Sequence, residues 1–169
     1  MKKLIFFILT GGCLYNNILC AAIPELDMKS AYLYNFAQFA DWPPSDRHTF
    51  NICTLDKVSD SLSPEVLSNK TVHGKPIKLA QFSKLIDKSE CQIVYLNSAD
   101  TAYVAKIAEE LSAQQVLTVG DAVNGNDFAI INLFVKNNRL VFDLDLTRAR
   151  KAKVTLSSKL ITLAQQVRD

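Results

Sequence analysis

Three short runs, residues 50–55, 91–96 and 116–119, read as strands; the first alternates too little for a half-exposed strand, and the second is rich in β-branched and aromatic residues. Such runs suit strands covered on both faces. A helical pattern over residues 99–113, with Val104, Ile107, Ala108 and Leu111 on one stripe, separates the second run from the third. Ser63-Pro64-Glu65 is a good helix start, because proline's missing N–H costs nothing in the first turn. That helix is short and finishes near Lys70; residues 76–79 read as a brief strand, followed by a loop to Glu90. Alternating strands and helices of this kind predict an α/β layered sheet with parallel neighbours. The order then changes. Residues 128–135 and 140–146 are two strands joined by Lys136-Asn137-Asn138-Arg139, short enough for an antiparallel hairpin. The expected fold is α/β: one domain over residues 23–169, a mainly parallel sheet with a C-terminal antiparallel hairpin, flanked by helices.

Helices open and close this domain. Met28, Tyr32, Phe36, Phe39 and Ala40 recur at helical spacing over residues 27–41, with Asp27 as the expected cap and Pro43-Pro44 as the stop. At the other end, Leu156, Leu160, Leu163, Ala164 and Val167 share a helical stripe.

Residues 1–22 read as an export signal: Lys2 and Lys3, an apolar run from Leu4 to Leu9, then Cys20-Ala21-Ala22 for cleavage. Thr10-Gly11-Gly12-Cys13 is a poor lipoprotein box, so soluble export with cleavage after Ala22 is the expectation. Losing Lys2 and Lys3 takes Lys plus Arg from 19 to 17, equal to the 17 Asp plus Glu. A neutral mature chain lacks the electrostatic footprint of a nucleic-acid binder. The basic cluster Arg148, Arg150, Lys151 and Lys153 reads as one turn of helix with solvated charges. With Cys13 and Cys20 gone, Cys53 and Cys91 remain. In an exported protein such a pair reads as a disulfide, with two buried free thiols as the alternative. A bridge would stabilise the fold by roughly 3–4 kcal/mol through loop closure.

Motifs for chemistry are scarce. Gly74, Gly120 and Gly125 are the glycines left outside the leader, and neither a phosphate loop nor a dinucleotide fingerprint can be written with them. His48 and His73 stand singly, without a second imidazole at ligand spacing, and no metal or other cofactor is expected. Neither Ser157-Ser158 nor Ser89 lies in a nucleophile elbow, and no catalytic residue is assigned. Asn69-Lys70-Thr71 matches a glycosylation acceptor by spacing, and nothing is read into it. Asp143 and Asp145 are the carboxylate pair to weigh, since strand alternation puts both on one face. They could serve a glycosidase or cation site, form the polar face of a sheet edge, or cap the following helix. Tyr32, Tyr34, Phe36, Phe39 and Trp42 exceed what one helical stripe needs, and excess aromatic area is what protein interfaces use. Phe39 and Trp42, where proline forces a turn, mark the expected partner contact.

Two segments carry a resemblance: Lys29-Ser-Ala-Tyr-Leu-Tyr-Asn-Phe-Ala-Gln-Phe-Ala-Asp-Trp-Pro43, and Leu140-Val-Phe-Asp-Leu-Asp-Leu146 followed by Leu156-Ser-Ser-Lys-Leu-Ile-Thr-Leu-Ala164. Together they resemble the YfiR family of bacterial periplasmic proteins, with its aromatic helix ending in Trp-Pro, its acidic-aliphatic strand and its Ser-Ser-x-Leu-Leu-x-Leu-Ala helix. The resemblance implies an exported, non-catalytic α/β regulator that represses an inner-membrane diguanylate cyclase by binding its periplasmic part. It also implies relief by an outer-membrane lipoprotein that captures the repressor, and hence control of cyclic-di-GMP and biofilm. Several members carry a disulfide at the places of Cys53 and Cys91. This chain departs from the family in having Phe128-Ala129 where Gly-Gly is common, and Asp145 where asparagine is common. The first change implies a different turn geometry. A homodimer stays open, as does a second function class: a periplasmic small-ligand-binding or enzymatic α/β domain using the Asp143/Asp145 face.

Overall fold

The computed structural model describes residues 24–84, 90–122 and 127–169. The expected leader, Ser89 and Gly125 lie outside them. In chain order the elements are α1 (Glu25–Gln38), β1 (Ala40–Asp41), β2 (Phe50–Thr54), α2 (Val58–Ser61), α3 (Pro64–Leu67), β3 (Thr71–Val72), β4 (Lys75–Gln81) and β5 (Ile93–Leu96). They continue as α4 (Thr101–Leu111), β6 (Leu117–Asp121), β7 (Ile131–Lys136), β8 (Arg139–Asp145), α5 (Leu146–Lys151), β9 (Thr155–Leu156), α6 (Ser158–Leu163) and β10 (Val167–Arg168).

Eight strands form one sheet in the order β10-β8-β7-β6-β5-β2-β4-β3, and β1 pairs separately with β9. The run β4-β2-β5-β6-β7 is parallel throughout; β8 returns antiparallel to β7, and β3 lies antiparallel to β4. The α/β sheet with a C-terminal hairpin is therefore observed. Alternation divides the sheet's side chains between two cores. Ile52, Ile93, Tyr95, Val119, Ile131 and Leu144 face Leu33 and Phe36 of α1, Leu67, Ala149 and Leu160. Cys53, Val94 and Leu96 face Val104, Ile107 and Leu111 of α4.

Two tight turns explain the hairpins. His73 and Gly74 (φ 49 and 79) join β3 to β4, and Asn137 and Asn138 (φ 50 and 60) join β7 to β8. Positive φ at both central positions gives the turn whose twist matches that of the strands.

The structure shifts two expected boundaries. α1 starts at Glu25, so Asp27 lies inside the first turn, and the helix stops at Gln38 because Ala40 and Asp41 pair with Leu156 and Thr155. The last helix stops at Leu163; Val167 belongs to β10, opposite Leu144. The basic cluster does form a short helix. α5 closes with Lys153 N–H on Arg150 O and Val154 N–H on Ala149 O, a Schellman closure that puts Lys153 at φ 55. Glycine alone takes that conformation freely, so Lys153→Gly should stabilise the fold by about 1 kcal/mol. Thermal melting should then rise by roughly 2–4 °C.

Candidate functional site

In open α/β sheets ligands sit beyond the carboxyl ends of the strands, where the strand order reverses. Here the reversal falls between β2 and β5. Asn97 spans that crevice. Asn97, just past β5, accepts from Leu55 N–H at 3.1 Å through Oδ1, and its Nδ2 donates to Ser61 Oγ at 2.6 Å. One strand further along, a Cβ on Gly120 would lie 3.0 Å from Asn132 Oδ1 and 3.2 Å from Ala129 Cβ. The cavity left there is about 10 Å³, room for one water at most.

The same end of the sheet holds a polar cluster. Lys29 Nζ, on α1, lies 2.6 Å from Asp121 Oδ2 and 2.6 Å from Glu25 Oε1, with the lysine side chain 11% exposed. Tyr95 donates its hydroxyl proton to the same Asp121 oxygen at 2.9 Å. Burial pulls the Lys29 ammonium pKa down, but the hydrogen bonds and charges of Asp121 and Glu25 outweigh this and leave it raised. Burial first, and then the Asp121 charge, pushes the Tyr95 phenol far above its ordinary value. The cluster therefore fixes α1 on the sheet with a neutral phenol, a carboxylate and an ammonium.

At the opposite end, below the amino ends of β4, β2 and β5, the chain is open. The segment from Trp42 to Arg47 stands between two clefts. One, of about 660 Å³, also reaches Gln92, Gln114 and Gln115. The other, of about 290 Å³, is walled by Phe50, Val72, His73 and Lys75. The Trp42 ring meets Phe50 edge-on, 5.1 Å between centroids, and its Nε1 is buried without a hydrogen-bond partner. Lys75 Nζ donates to Ser45 O at 2.8 Å, anchoring the loop. The exposed Arg47 side chain makes no described contact of this kind.

Phe39 and Trp42, the expected contact residues, both lie on the segment leaving α1, and both are half-buried. Trp42 lines both clefts; Phe39 lines neither and carries Lys159 Nζ 4.9 Å from its ring centroid. Cys53 and Cys91 form the disulfide, with Cα atoms 6.0 Å apart. Asp145 is the helix cap among its three readings: it accepts from Arg148 N–H at 2.8 Å and from Arg148 Nε at 3.1 Å. Asp143 shares its face, with Oδ1 buried and unpartnered, and neither carboxylate lines the clefts just described. His48 is exposed; His73 Nε2 lies 3.3 Å from Ala40 O. Among the described residues no His, Cys, Asp or Glu cluster could hold a metal ion, and no helix is long and apolar enough to cross a membrane. The Lys29–Asp121–Tyr95 cluster escaped sequence reasoning, because nothing local joins residues 92 positions apart.

A switch-point crevice spanned by Asn97, a disulfide-linked sheet and an aromatic loop between open clefts describe a single-domain α/β scaffold. The chain matches the YfiR/HmsC-like family over residues 26–165, and it belongs to that family. A search of curated proteins finds no match.

Proposed function

We propose that this protein is an exported, non-catalytic regulator that represses an inner-membrane diguanylate cyclase by binding its periplasmic part. Its effect is to lower cyclic-di-GMP. Membership of the YfiR/HmsC-like family over residues 26–165 carries this reading. The switch-point crevice supports it, because Asn97 bridges Leu55 and Ser61 at the position where an α/β enzyme holds its substrate. The contact surface is the Trp42 loop with Phe39 beside it. An outer-membrane lipoprotein that captures the repressor would relieve the inhibition.

Deleting the gene, with the cognate cyclase expressed, should raise cyclic-di-GMP and surface attachment. Unchanged cyclic-di-GMP would remove the repressor assignment. Restoring the wild-type gene should reverse the rise. Arg47→Glu, at an exposed position, should fail to reverse it while melting as wild type does. Trp42→Ala should lose binding too, but with about 2 kcal/mol of stability, since its half-buried ring packs on Phe50. Melting and cyclase binding must therefore be measured on both variants. Full repression by a stably folded Arg47→Glu protein would move the contact away from this loop.

A further inference from the structure

The two margins of the eight-stranded sheet are finished differently. At one, β10 pairs with the end of β8: Gln165 N–H donates to Phe142 O, and Leu144 N–H to Gln166 O. Backbone groups of even-numbered residues in β8 thus face outward, and the next carbonyl along, Leu140 O, accepts from the Tyr32 hydroxyl at 2.7 Å. That margin is capped.

At the other margin, β3 pairs only with Lys75 and Pro76 of the seven-residue β4. Ile77 N–H donates outward to Lys70 O at 3.1 Å, which sets the alternation for the rest of the strand. Lys78 and Ala80 turn their backbone groups inward to β2, alongside Asn51 and Cys53. Leu79 and Gln81 turn theirs outward, and no described strand lies beyond them. Such a row of outward N–H and C=O groups is a template for another strand. Over residues 77–81 it is about 13 Å long.

The charge of this margin selects the occupant. From Lys70 to Gln81 the chain holds three lysines, Lys70, Lys75 and Lys78, and no Asp or Glu. Lys78 is exposed and without a described partner. A second copy paired here about a two-fold axis would set these lysines against their own images, which disfavours self-association. We propose that the outer edge of β4, from Ile77 to Gln81, is a strand-addition site for an extended acidic segment of another protein. The main chain supplies the hydrogen bonds, and the exposed Lys78 selects carboxylates. This site is separate from the Trp42 loop and does not depend on the cyclase assignment.

Residue-resolved amide exchange on the intact protein tests it, with a synthetic decapeptide alternating glutamate and valine as probe and its lysine–valine counterpart as control. In the free protein, Leu79 and Gln81 amides should exchange at least about tenfold faster than those of Lys78 and Ala80. The acidic peptide should slow those two amides about tenfold or more, and the basic peptide should not. Lys78→Glu, melting as wild type does, should reverse the preference. Protection of Leu79 and Gln81 in the free protein would overturn the proposal. So would an acidic peptide that protects neither amide, or equal protection by both peptides.

Discussion

Replacing Cys53 and Cys91 together with alanine is expected to lower stability by about 3–4 kcal/mol. The bridge closes a loop with a sequence separation of 38, from the central strand β2 to the residue before Gln92 at the foot of β5. Without it the unfolded chain regains that loop's freedom, and the melting temperature should fall by roughly 10 °C. Denaturant and thermal unfolding of the double variant read this directly. A loss under about 1 kcal/mol would show that packing alone holds β2 to β5. The residues are 0% and 1% exposed, so exchange with an external thiol requires the fold to open first. Reduction of the native protein should accordingly keep pace with its opening, however strong the reductant.

The second large effect is alkaline. Tyr95 and Lys29 both have folded-state pKa values raised above their ordinary ones. Groups raised in this way contribute stability fully below the unfolded pKa, and it is lost as pH rises through the folded one. Tyr95 titrates in the unfolded chain near pH 10, so each further pH unit should cost about 1.4 kcal/mol until the folded phenol itself ionises. Over two units above pH 10 this amounts to roughly 3 kcal/mol. Lys29 adds to the loss above about pH 10.5, in the same direction. Denaturant midpoints against pH, with phenolate absorbance recorded in parallel, measure the slope. Tyr95→Phe should cost about 1–2 kcal/mol near neutrality, through its lost bond to Asp121, and should flatten the alkaline limb. A wild-type curve flat from pH 9 to 12 would contradict the buried phenol.

How much of this was legible depends on the range of the forces involved. β2, β5, α4 and the β7–β8 hairpin carry their own patterns, because burial on both faces or on one stripe selects residues locally. The end of α1 is set from elsewhere: helical spacing runs on through Ala40, yet Leu156 claims Ala40 for a strand pair. Val167 likewise fits a helical stripe and lies in β10, where the carbonyl of Gln166 answers Leu144 N–H. Two-residue strands leave no period to read. The site divides in the same way. Trp42 and the disulfide could be named from residue type and context, and Asp145 as a cap from its place before a helix. The Lys29–Asp121–Tyr95 cluster and the open β4 edge exist only once distant strands are side by side.

The β1–β9 ribbon has a consequence for the order of events in folding. Phe39 O accepts from Ser157 N–H, and Ala40 and Asp41 pair with Leu156 and Thr155, so the exit of the first helix is tied to a segment far along the chain. The chain cannot make these bonds until residues 155–157 have joined the fold. The half-buried ring of Phe39 and the segment leading to Trp42 lack their β9 partner until then. Contacts of such large sequence separation are slow to form, and apolar surface left waiting for them is where chains stick to one another. The aromatic segment is thus a part of the folding chain that needs protection, and its release from a chaperone should coincide with the pairing of residues 155–157.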